Sequence, residues 1–128
     1  MEALIALDTH VVAWLHAGET ERFPGGVYQR LNTEELVICP IVLLELEYLH
    51  EIGRISENAD RIFADLASEI GLAVCPHPFL EVIREALKQA WTRDPFDRMI
   101  VAHAISAGHE LVTKDENILA HYSSAFWA

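Results

Sequence analysis

Short apolar runs alternate along this chain with segments of helical periodicity, and that alternation constrains the fold more than any other feature. ALIAL at 3–7, LVIC at 36–39, LAVC at 72–75 and ELVT at 110–113 are apolar nearly throughout. Strands of that kind are covered on both faces, and strands that alternate with helices build βαβ units around a parallel sheet. A fifth short strand is expected near Ala125 to Trp127, with helices near 10–17, 27–32, 40–52, 57–70, 79–90, 97–107 and 117–122. A length of 128 residues, 52% of them hydrophobic, suits one core and is too short for two. The expectation is an α/β chain, a three-layer α/β/α sandwich with a parallel sheet of four to five strands and a single domain over residues 1–128.

The helix at 57–70 shows the period well, because Ala59, Ile62, Phe63, Leu66 and Ile70 form one apolar stripe. Gly71 and Gly108 stand where C-terminal helix caps belong. The longest apolar stretch, LVICPIVLL at 36–44, is broken by Pro40 and falls far below the roughly 20 residues of a membrane span. The opening MEALIALDTH has no basic region of the secretory kind, so a cytoplasmic location is expected. Cys39 and Cys75 lack CxxC spacing and read as free, buried thiols. A net charge of −11, from 20 acids against 9 bases, disfavours any partner held by a broad basic surface.

Ligands of an open parallel sheet bind beyond the carboxyl ends of its strands, so polar residues there matter most. Asp8 directly follows the first run and Asp115 closely follows the fourth, although aspartate is also a favoured helix N-cap. In the helix from Pro40, positions 41, 45, 48, 49 and 52 share a face, and Glu45 interrupts their apolar stripe, unless it sits at the margin and reaches water. Glu47 shares its face with His50 and Glu51 and is expected to be solvated. In RDPFDRMIVAHA, at 93–104, proline suits the first helical position and makes Asp94 the natural N-cap. Asp97 could complete a capping box, but it also heads the inward face of Ile100, Val101 and Ala104.

Asp8, Glu45, Asp97 and Asp115 would then converge at one end of the sheet. Two carboxylates about 5 Å apart repel by roughly 3 kcal/mol at an effective dielectric of 20, so four ionised groups need compensation. A divalent cation supplies it, and oxygen-only ligands suit Mg²⁺ or Mn²⁺. Phosphoryl transfer or phosphodiester hydrolysis is the chemistry of such a site. A haloacid-dehalogenase-like phosphatase also has an aspartate after its first strand, but His10 stands where it needs a second. Neither GxxxxGK nor GxGxxG occurs, no GxSxG elbow follows a strand, and the seven histidines show no HExxH or Cys/His zinc pattern. A binding module with no catalysis is a rival that retained, mutually repelling acids argue against.

LDTHVVAWL at 7–15, PIVLLELEYL at 40–49, DPFDRMIVAHA at 94–104 and LVTKDENI at 111–118 resemble, in order and spacing, the PIN-domain family. The nearest resemblance is to VapC-type toxin ribonucleases of toxin–antitoxin pairs, and it covers nearly the whole chain. It implies a PIN-like domain whose acids, by motif Asp8, Glu45, Asp97 and Asp115, bind Mg²⁺ or Mn²⁺ and cleave RNA. The chain departs from the family at Cys39, where a hydroxyl residue is common, and at Val42, where one is frequent. The resemblance further implies a homodimer and a cognate antitoxin, for which the helices at 40–52 and 57–70 offer a groove unless their apolar faces are plain core. Arg93, Arg98 and Lys114 adjoin candidate acids and, with Thr113, are the candidates for guiding the RNA backbone; for each basic side chain the alternative is an ordinary solvated or paired group.

Overall fold

Successive strand residues point to opposite faces of a sheet, so three buried residues in a row need cover on both sides. Ile5, Ala6 and Leu7 are all buried, as are Leu36, Val37 and Ile38. In the computed structural model, which describes residues 4–128, these runs form the centre of a parallel sheet flanked by helices. Ala3, expected to open the first strand, and the acid at position 2 lie outside the described residues.

The elements follow as β1 (Leu4–Leu7), α1 (Thr9–Ala17), a 3-10 turn (Thr20–Arg22), α2 (Gly25–Thr33), β2 (Glu35–Ile38), α3 (Ile41–Glu51) and α4 (Ala59–Ile70). Then come β3 (Ala73–Val74), α5 (Phe79–Leu87), α6 (Pro95–Ala107), β4 (Glu110–Val112), α7 (Glu116–His121) and β5 (Ala125–Phe126). The strand order is β3-β2-β1-β4-β5, and every pairing is parallel. The chain builds outward from β1 through β2 to β3, then returns to add β4 on the other side of β1. The order therefore reverses between β1 and β4, which opens a crevice at the carboxyl ends of those two strands.

Local signals place the ends of these elements. Asn58 caps α4 by accepting from the Arg61 N–H at 2.8 Å, and Asp94 caps α6 by accepting from the Phe96 and Asp97 N–H groups at 2.8 and 3.2 Å. Gly71 and Gly108 close α4 and α6 at φ of 73° and 74°, a backbone region that favours glycine. Helix α5 stops at Leu87 instead of reaching Ala90, because the Arg98 guanidinium donates to the Ala86 and Leu87 carbonyls and satisfies its final turn. Both cysteines are free, and burial pushes the Cys39 thiol up to about 11.

The buried face of α3 differs from the stripe that its sequence suggests. Val42, Leu46 and Leu49 are its buried positions, whereas Tyr48 and Ile52 are each 48% exposed. The true contact face is rotated, which puts Glu45 at its edge and the solvent-facing apolar residues beside it. Glu47 is not simply solvated, since its carboxylate accepts from the Ala59 N–H at 3.1 Å and so helps to start α4. In α4 the buried positions are Ala59, Ile62 and Leu66, while Ile70 at the helix end is exposed. Helices α5 and α6 pack on each other through Val82, Ala86 and Ala102. Among the described residues, no helix is long and apolar enough to cross a membrane.

Candidate metal centre

The crevice between β1 and β4 is filled with carboxylates. Asp8 follows β1 as the N-cap of α1, and Asp115 follows β4 as the N-cap of α7, where it accepts from the Ile118 N–H at 3.0 Å. Glu45 reaches the same place from α3 and Asp97 from the first turn of α6. Together with His10, Trp14, Asp94, Lys114 and Glu116, these four acids line one open cleft of about 420 Å³. For Asp8 and Asp115, capping and convergence therefore coexist. Each aspartate gives one oxygen, Oδ1, to a backbone N–H of the helix it starts.

Two threonines hold the carboxylates in place. Thr113, fully buried, donates its hydroxyl to Asp8 Oδ2 at 2.6 Å and accepts from the Asp115 N–H at 3.0 Å, so one side chain registers two acids. Thr9, also fully buried, donates its hydroxyl to Glu45 Oε1, and its own N–H donates to Asp8 Oδ1 at 2.8 Å. Asp97 has no hydrogen-bond donor on its carboxylate among the described residues, leaving both oxygens available.

The electrostatics follow from burial and crowding. Burial pushes the Asp8 carboxyl above the usual carboxylate range, against the opposing hydrogen bonds from Thr113 and Thr9. Glu45 is raised for the same reason, with the Thr9 hydroxyl acting against it. Asp97 is pushed up to about 7, first by burial and then by the negative charges of Asp94, Asp8, Asp115 and Glu45. Such a site holds fewer protons only if positive charge enters it. All of its acidic side-chain atoms are oxygens, the donor type that suits a hard divalent cation such as Mg²⁺ or Mn²⁺, and Asp8, Glu45, Asp97 and Asp115 line the same cleft.

The basic candidates separate. Lys114 is on the cleft, exposed, with its ammonium 6.0 Å from the Trp14 ring centre. Arg98 is spent on the end of α5, and Arg93 donates to the Ala90 carbonyl at 2.9 Å; neither lines the cleft. Thr113 lies beneath the carboxylates as a positioning group. Thr9, His10 and Trp14 enter the site without having been singled out by the sequence, although the LDTH tetrapeptide places a hydroxyl and an imidazole directly behind the first acid. Asp94 also does more than cap, since its charge faces Asp97 across the cleft wall.

Comparison with known proteins agrees with this architecture. A family model described as PIN domain matches residues 5–123. The chain is 31% identical over 123 residues to Ribonuclease VapC22 of Mycobacterium tuberculosis, with 91% of each covered. Among solved structures it resembles a chain of VapBC2 from Rickettsia felis bound to a DNA fragment from their promoter, at 18% identity and a TM-score of 0.64, covering 91% of this chain and 92% of that one. It also resembles a chain of a toxin–antitoxin complex from Klebsiella pneumoniae, at 17% identity and a TM-score of 0.59, covering 97% and 95%.

Proposed function

The chain belongs to the PIN-domain family, and from that premise we propose that it is a divalent-metal-dependent endoribonuclease acting as the toxin of a toxin–antitoxin pair. The observation that carries this is the convergence of Asp8, Glu45, Asp97 and Asp115 on one solvent-open cleft at the switch point of the sheet. Mg²⁺ or Mn²⁺ is the cation that this oxygen-only set suits, and when bound it supplies polarisation of a phosphodiester oxygen and activation of water. Asp8, Glu45, Asp97 and Asp115 would hold it, and Thr113 and Thr9 would keep Asp8, Asp115 and Glu45 in place for that role through the hydrogen bonds they make to them. Lys114 stands on the wall of the same cleft beside His10, where its positive side chain can meet an RNA phosphate within an otherwise acidic protein.

A second copy and an antitoxin complete the proposal. A groove of about 640 Å³ between α1, α3 and α4, lined by Trp14, Leu49, Ile55 and Ile62, shares His10 and Trp14 with the acidic cleft. An antitoxin segment lying in that groove could extend a basic side chain to the acids. Phe79, Leu80 and Leu87 on α5 are 71%, 60% and 70% exposed and give a second copy an apolar face to cover.

Cleavage of RNA by the purified protein tests the reading. It should occur with Mn²⁺ or Mg²⁺ and stop in EDTA, and Asp97→Asn should slow it by at least about 10²-fold. Glu51→Gln, an exposed change outside the cleft, should leave it intact. Equal losses in the two variants, or cleavage that survives EDTA, would sink the proposal.

A further inference from the structure

A second cluster of metal-ligand side chains lies away from the acids. Cys75 follows β3, His103 sits midway along α6, and His109 stands between α6 and β4; one ligand atom from each lies within 4.8 Å of the others. None of the three lines the acidic cleft. His103 is 2% exposed and His109 is 7% exposed, so both imidazoles are withdrawn from water. Buried polar atoms almost always find partners, yet His109 Nδ1 has none among the described residues.

The hydrogen bonds around the trio arrange it as a ligand set. His103 Nε2 lies 3.1 Å from the Cys75 carbonyl oxygen, and since a carbonyl only accepts, Nε2 carries the proton and Nδ1 keeps the lone pair. Metal-binding histidines are commonly held this way, by a backbone carbonyl on the far nitrogen. The same carbonyl accepts from the His77 N–H at 3.1 Å, and the Cys75 N–H donates to the Ile38 carbonyl at 2.9 Å, so the cysteine is fixed at the sheet edge. His77 is adjacent, with its ring centre 5.9 Å from that of His103; its Nε2 also lacks a hydrogen bond and lies 3.0 Å from a Glu81 carboxylate oxygen, which draws it toward α5 and not toward the trio.

We propose that Cys75, His103 and His109 form a Zn²⁺ site that ties the edge strand β3 to α6 and to the entry of β4. One thiolate and two imidazoles are the borderline-soft donors that zinc prefers and that Mg²⁺ does not. Zinc bonds of about 2.0–2.3 Å in a tetrahedral arrangement put donors roughly 3.5 Å apart, so a small closure of the observed spread suffices. Three protein ligands leave the fourth position to water. Binding converts the Cys75 thiol to thiolate, with its proton released to solvent.

Cobalt is the probe, used on the full-length protein stripped with EDTA and then held in excess Mg²⁺ to occupy the acidic cleft. The site should take about one Co²⁺ per chain, with tetrahedral d–d bands and a thiolate-to-cobalt charge-transfer band, and Zn²⁺ should displace it. Cys75→Ser should remove the charge-transfer band and weaken Zn²⁺ binding by more than about 100-fold, since loss of a ligand exceeds loss of a ligand's partner. His109→Asn should weaken it comparably, whereas Asp97→Asn and Cys39→Ser should keep the band. The proposal is overturned if the unaltered protein shows no thiolate band, which requires no variant to fold. It is equally overturned if the band follows Cys39 or Asp97 instead of Cys75.

Discussion

The acidic cleft and the Cys75–His103–His109 trio both gather metal-ligating side chains, but on opposite physical terms. The cleft is open to solvent, and its ligand atoms are carboxylate oxygens that repel one another and are steadied by helix N–H groups and threonine hydroxyls. The two histidines of the trio are withdrawn from water, with Cys75 half-buried beside them, and burial pulls His103 and His109 below the usual imidazole range, which keeps them neutral and rich in lone pairs. A carboxylate resists burial and waits at the surface for a hard cation; an imidazole can shed its charge and go inside. Solvent access, as much as residue type, decides which metal a cluster can want and whether that metal takes part in chemistry or in holding the fold.

The contrast predicts that the two clusters respond independently. The largest effect on stability should come from Mn²⁺ entering the cleft, which at about 100 times its Kd stabilises the folded state by about 2.7 kcal/mol. In EDTA the sign of the pH dependence follows from Asp97. Its folded pKa of about 7 exceeds the unfolded 3.8, so its stabilising contribution is fully present below about 3.8 and is lost as pH rises through about 7. The thermal midpoint of the unaltered protein should therefore fall relative to that of Asp97→Asn across this window, and Mn²⁺ should abolish the fall. A difference that grows the other way with pH would show that Asp97 is not crowded by its neighbours.

Thr113→Val comes next. It removes the donor to Asp8 Oδ2 and the acceptor for the Asp115 N–H, so RNA cleavage should drop by roughly 10–100-fold and require more Mn²⁺. The cobalt–thiolate band should be untouched, and its loss in this variant would erase the distinction between the two clusters. The smallest effect belongs to Asp94→Ala, which should cost about 1 kcal/mol in a denaturant titration through loss of the α6 cap. Asp94→Asn keeps a capping oxygen and should cost far less. A full loss of stability with asparagine would mean that the charge, and not the cap, matters there.

Much of this was legible because it is local. The apolar runs mark four of the strands, Gly71 and Gly108 end their helices, and Asp94 ahead of Pro95 caps α6, each within a few residues of its partners. The four acids could be chosen because strand ends and motif spacing pick them out. What escaped depends on distant partners. Arg98, next to a candidate acid in sequence, turns away to the end of α5. Glu47 starts α4, and the contact face of α3 is rotated from the stripe that periodicity suggests, because neighbouring helices decide which of two adjacent faces is covered.

The sequence by itself determined most element types and the caps, since backbone preference, amphipathic period and capping chemistry act over one or two turns, and it singled out the acids that line the cleft. The tertiary structure alone decided the order β3-β2-β1-β4-β5, which sets β1 beside β4 and so brings Thr113 onto Asp8 across 105 residues of chain. It also brought Cys75 from a strand edge to two histidines on and after α6, an assembly with no spacing signature. The physical reason is the same in both cases: hydrogen bonds and ligand sets act over about 3 Å of space, and only packing converts distance along the chain into distance in space.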